Sequence, residues 1–143
     1  MSLIGNILWF VLGGVFMGLA WAFFGILAFI SIIGIPWGRS CFVLANFTFF
    51  PFGREAVSRE YLTGQKDLGT GFLGLLGNII WCLVAGIWLA LGHIGWGLIC
   101  CLTIIGIPFG LQHFKIAGLA IMPVGMTIVP KGTLGSPLMR PGN

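Results

Sequence analysis

Two cations stand just inside two proline-opened segments, and they are the residues best placed for chemistry. Arg39 follows Pro36, and Lys115 follows Pro108. A helix start offers unpaired N–H groups and the positive end of its dipole, so it attracts anions. A lysine or arginine added there strengthens the preference for a lipid phosphate or a small anion. A charge carried to membrane depth costs roughly 2.5–3.5 kcal/mol on insertion scales, and is a functional candidate by default. Arg39, Val43, Asn46 and Phe50 fall at i, i+4, i+7 and i+11, one face of a helix. Gln112 and His113 lie next to Lys115. Arg39, Asn46, Gln112, His113 and Lys115 therefore form the expected set of anion, head-group or pore contacts. The competing explanation is snorkelling, in which long stems carry the charges out to the head-group layer.

Other chemistries find less support. The carboxylates Glu55, Glu60 and Asp67 sit in one polar stretch among bases, as a solvated flank would. Glu55 and Arg59 are spaced i, i+4 with the acid first. That spacing predicts a short helical extension to about Leu62, followed by a Gly-rich loop. His93, His113, Cys100 and Cys101 offer metal-ligand types, but adjacent cysteines on a helix point about 100° apart and no close ligand spacing recurs. Cys41 and His113 occupy corresponding positions, a thin basis for a nucleophile and its base. Phosphate-loop and dinucleotide fingerprints are absent. The expectation is no catalytic residue, no metal and no cofactor.

The elements that position these residues are written twice. Shifted by 72, Gly5-Asn6-Ile7-Leu8-Trp9 falls on Gly77-Asn78-Ile79-Ile80-Trp81. The same shift lays Ile32–Gly38 on Ile104–Gly110, and Pro51-Phe52-Gly53 on Pro123-Val124-Gly125. Each copy reads as a long apolar helix, a break at Gly34, Pro36 and Gly38 or at Gly106, Pro108 and Gly110, and a shorter second helix. Proline lacks an N–H and pushes its predecessor out of helical geometry, so the first helix ends before it. The organisation is repeat one over 1–57, a polar loop over 58–71, repeat two over 72–129 and a flexible tail over 130–143.

Composition sets the class. Hydrophobic residues make up 58%, charged residues 7%, and mean hydropathy is +1.09. A soluble domain carries about a quarter of its residues charged. No charge precedes Arg39 and none separates Asp67 from Lys115. Each run exceeds the roughly 20 apolar residues of a membrane span. A β-barrel would alternate apolar and polar residues, which Ile26–Ile35 does not. The fold class is an all-α membrane protein whose second helices are tilted, re-entrant or interfacial. The start lacks a basic n-region, so the first apolar segment reads as a span rather than a signal peptide. The net charge of +4 fits membrane flanks, with no basic patch for nucleic acid. Five of the seven basic residues gather on one side if each half crosses twice, which puts both termini and the central loop in the cytoplasm. If each half crosses once, the halves are inverted repeats.

The doubled Gly-Asn start, the Ile-Ile-Gly-Ile-Pro-Trp/Phe-Gly break and the Pro-x-Gly end resemble the YccF-type inner membrane component family. Phe50–Val57 and the following Leu-Thr-Gly strengthen the likeness, which covers about Leu3 to Val129. The resemblance implies a small bacterial inner-membrane protein with a duplicated domain, and it brings no catalytic residues. The first functional reading is a non-enzymatic homo-oligomer forming an anion-preferring channel or pore. The alternative is a non-conducting accessory or scaffold protein binding anionic lipid or a membrane complex. In both, the lipid bilayer is the constant partner.

Overall fold

The computed structural model describes residues 2–66 and 71–135, so Asp67, Arg140 and the expected tail beyond 135 lie outside it. The first half opens with α1 (Ser2–Trp9), a π turn (Phe10–Gly14) and α2 (Val15–Ile30). Helix α3 (Ile35–Phe49) follows. Strand β1 (Arg54–Ser58) and helix α4 (Arg59–Thr63) lie between the halves. The second half repeats the plan with α5 (Phe72–Trp81), a π turn (Cys82–Gly86), α6 (Ile87–Cys101) and α7 (Ile107–Ile121), and strand β2 (Met126–Pro130) ends it.

Each long helix stops where its last turn loses backbone partners, and a hydroxyl takes them over. Ser31 donates to the Ala28 carbonyl and accepts from the Gly34 N–H. Thr103 does the same for Cys100 and Gly106. Pro36 and Pro108 then sit in the first turn of α3 and α7, where a missing N–H costs nothing. The returning helix packs back along the first. Phe29 lies on Gly38, Cys41 against Gly25 and Phe49 on Gly18. Asn6 closes the base by exchanging two hydrogen bonds with the Phe52 backbone. Each half is therefore an antiparallel helical hairpin, and small residues let its helices approach closely.

The 72-residue shift holds in three dimensions. Trp9 donates to the Thr48 carbonyl and Trp81 to the Ala120 carbonyl. Asn78 holds Val124 as Asn6 holds Phe52. The two hairpins run in opposite directions. Leu12 meets Cys100, Phe16 stacks on Trp96, Trp21 bonds to His93 and Phe24 packs edge-on to Trp81. Position rises along the first long helix as it falls along the second.

The two strands form an antiparallel ribbon in which Ala56 faces Ile128. Those two residues are counterparts under the shift, as are Trp21 and His93. Residues that touch their own counterparts lie on the pseudo-two-fold axis, which therefore passes through the ribbon and through the helix crossing. β1 follows Gly53, whose carbonyl accepts from the Lys131 N–H, and ends where the Arg59 N–H donates to the Gly125 carbonyl. Each strand thus runs from the base of one hairpin to the base of the other, beside α3 rather than beyond its end.

The ribbon adds a short sheet to a mostly helical fold and corrects one expectation: the helical extension expected from Glu55 and Arg59 begins only at Arg59. Pro51 and Gly53, the latter at φ 85°, turn the chain out of α3. The β-prone run Met126–Pro130 then supplies a partner that a local i, i+4 pair does not outweigh. Glu55 instead accepts from the Gly132 N–H.

The halves differ in backbone at Ile32, which takes φ 62° where Ile104 has no positive φ, and in the π turn of the first long helix. Gly13 takes φ 128° and kinks the first long helix, whereas its counterpart Ala85 stays within an unbroken helix. A residue with a Cβ rarely adopts that φ.

Candidate functional site

Polar chemistry collects in two places, one buried and one open. The buried place is the helix crossing. Trp21 Nε1 donates to His93 Nε2 at 3.1 Å, and His93 Nδ1 lies 2.9 Å from His113 Nδ1. Both histidines and Trp21 are fully buried. The His113 ring lies on Trp9, centroids 4.1 Å apart. An indole N–H only donates, so His93 Nε2 must be the acceptor. Its proton then sits on Nδ1 and is given to His113 Nδ1. That leaves the His113 proton on Nε2, a buried donor with no acceptor among the described residues. The hydroxyl of Thr48, whose carbonyl holds Trp9, also has no partner among them. One chain of hydrogen bonds and ring contacts thus joins α1 and α2 of the first hairpin to α6 and α7 of the second.

The open place is the flank carrying the ribbon. Phe42, Val43 and Asn46 of α3, Arg54 of β1 and residues 127–130 of β2 line a groove of about 500 Å³. Arg54 donates to the Asn46 side chain at 2.7 Å, to the Asn46 carbonyl at 3.0 Å and to the Phe50 carbonyl at 2.9 Å.

The five residues expected to act together divide between these places. Asn46 is in the open groove, and Arg39 is exposed on the same face of α3 one turn before Val43. Lys115 is exposed and takes the position of Val43 in the second half. His113, two residues before Lys115, points away from it into the core, where it meets His93. Gln112 is half-buried. The break glycines serve packing: Gly38 lies under Phe29, and Gly110 against Cys101 and the Gly97 carbonyl.

Trp9, Trp21, Thr48, His93 and Arg54 do not belong to the expected set. One signal points to the crossing: His93 falls on Trp21 in the middle of two uncharged runs. Cys100 brings its sulfur to 3.9 Å from the Leu12 carbonyl. Among the described residues no three His, Cys, Asp or Glu side chains gather as a metal site would need.

Two oppositely directed hairpins of apolar helices, duplicated in one chain around a buried Trp–His crossing, define a two-repeat helical membrane component. The chain belongs to the YccF family, whose inner membrane component domain matches residues 4–54 and again residues 76–126. It is 39% identical over 127 residues to the inner membrane protein YccF of Escherichia coli K12, covering 87% of this chain and 84% of that one. The protein of the same name from Shigella flexneri matches equally. No solved structure matches. The family places the chain in the bacterial inner membrane, and the two matches repeat the spacing of the hairpins.

Proposed function

We propose that the chain works as a homo-oligomer whose ribbon flanks face a shared, water-filled and anion-preferring path through the inner membrane. The observation behind this reading is the ribbon itself. A two-stranded sheet leaves one edge of each strand without backbone partners. Such groups cost several kcal/mol each in hydrocarbon, where only helices and closed barrels satisfy them. Apolar runs of 29 and 30 residues, Ser2–Ile30 and Phe72–Cys101, are long enough to cross a bilayer with tilt. With those helices upright, the ribbon lies at membrane depth beside α3 and needs water or protein against it. A second copy meets that need.

Upright helices also make the two halves inverted repeats, with the hairpin bases toward opposite faces. We favour this over both termini and the central loop being cytoplasmic. Arg39, Arg54 and Lys115 would then give the path its sign. A wetted unit charge is worth roughly 1 kcal/mol at contact. Arg39→Ala and Lys115→Ala are each expected to lower chloride-over-potassium selectivity roughly fivefold in proteoliposome flux. Wild-type vesicles with no protein-dependent flux would reject the path and leave the accessory role.

A further inference from the structure

A second groove lies between the hairpins, and the two-fold partner of that groove is plugged by the protein. The open groove has a volume of about 290 Å³ and lies between the end of α2 and the region from α5 into the π turn. Leu27, Trp37, Ile80, Trp81 and Val84 form much of its wall. Ser31 and Trp37 bring polar side-chain atoms to it. Ser31 Oγ already bonds the Ala28 carbonyl, and Trp37 Nε1, which has no hydrogen-bond partner among the described residues, is covered from solvent. An occupant therefore meets a surface of carbon.

In the other half, Phe24 of this wall is replaced by Trp96 and Ala85 by Gly13. The kink at Gly13 brings the helix onto the Trp96 ring, which lies 2.9 Å from where a Cβ of residue 13 would stand and stacks on Phe16. Ala85 does not kink, and Phe24 turns edge-on to Trp81 and Phe23. The same groove is filled by an indole in one half and left open in the other.

We infer that the open groove binds one acyl chain of a membrane phospholipid. Its walls run onto apolar side chains left exposed on the surface, with Leu27 46%, Ile80 63% and Val84 66% exposed. A cavity lined by carbon stays dry and takes up hydrocarbon. In a bilayer the hydrocarbon at hand is the acyl chain. The volume is at the lower limit of small-molecule pockets, so it takes a chain and leaves the head group outside.

Native mass spectrometry of the full chain, purified in mild detergent from membranes, tests this. Wild type is expected to retain one phospholipid per chain. Leu27→Trp with Val84→Trp fills the groove from two exposed positions and is expected to retain none, while melting as wild type. Phe24→Trp places the plugging residue of the other half and gives a second route to the same loss. Trp96→Phe opens the partner groove and is expected to retain two. Equal retention in wild type and both filled variants would overturn the inference, as would retention of detergent or free fatty acid in place of phospholipid.

Discussion

Replacing His113 with alanine is expected to destabilise the protein by about 3–4 kcal/mol, read as a shifted midpoint in denaturant titration of the purified chain. Two losses combine. The imidazole that lies on Trp9 is fully buried, and its removal leaves a cavity where the hairpins cross. His93 Nδ1 also loses the acceptor 2.9 Å away, while Trp21 still holds its other nitrogen. The proton of His93 then has nowhere to go, because an indole cannot accept it. His113→Phe separates the two losses. It keeps a ring on Trp9, removes the Nε2 donor that lacks a partner, and leaves the His93 donor unpaired. One orphaned donor replaces another, so a cost of about 1 kcal/mol is expected. Equal losses for Ala and Phe would show that the ring does not hold the crossing together.

Gly106→Ala is expected to cost about 3 kcal/mol in the same titration. A Cβ there overlaps the Cys100 carbonyl oxygen, which is backbone and cannot swing aside. Thr103 Oγ1 crowds it further at 2.7 Å. The last turn of α6 would have to unwind, and the Thr103 hydroxyl would lose the Gly106 N–H it accepts. Its counterpart Gly34→Ala meets the Ala28 carbonyl at 2.7 Å and should follow with a smaller loss. Gly71→Ala has nothing within 4 Å and serves as the control, expected within about 0.5 kcal/mol of wild type. A loss at Gly106 no larger than at Gly71 would mean that the break tolerates a side chain.

These two sites differ in how far they can be read from the residues alone. The Gly-Ile-Pro break is legible because proline and glycine act locally, and a doubled motif repeats the same local instruction. The hairpin follows from it, since a chain that stops, turns and resumes an apolar helix must pack back on itself. The crossing is only half legible. The shift puts His93 on Trp21, yet contact between them depends on the hairpins running in opposite directions. Charge patterning reports which side of a membrane a loop prefers and says nothing about which helix faces touch. His113 stands out for its polarity beside Lys115, but two residues along a helix point to nearly opposite sides. One faces the core and the other the surface.

The ribbon is illegible for a different reason. Arg54–Ser58 and Met126–Pro130 are five residues each and pair over a long sequence separation. Met126–Pro130 is β-prone, but the residues alone show no partner for it, whereas the Glu55 and Arg59 spacing is local and visible. Only the fold brings the partner strand into place. Arg54 stays on the open flank and donates to the Asn46 side chain and to the Asn46 and Phe50 carbonyls. The polar flank of the protein is therefore a product of tertiary structure.

Cross-linking from that flank tests the oligomer most directly. Thr127 lines the ribbon groove. In a chain with Cys41, Cys82, Cys100 and Cys101 replaced by alanine, Thr127→Cys is to be oxidised in native membranes and run on a non-reducing gel. Facing ribbons predict disulfide-linked copies, with none from Leu27→Cys on the apolar wall. A monomer band alone from Thr127→Cys would contradict the account.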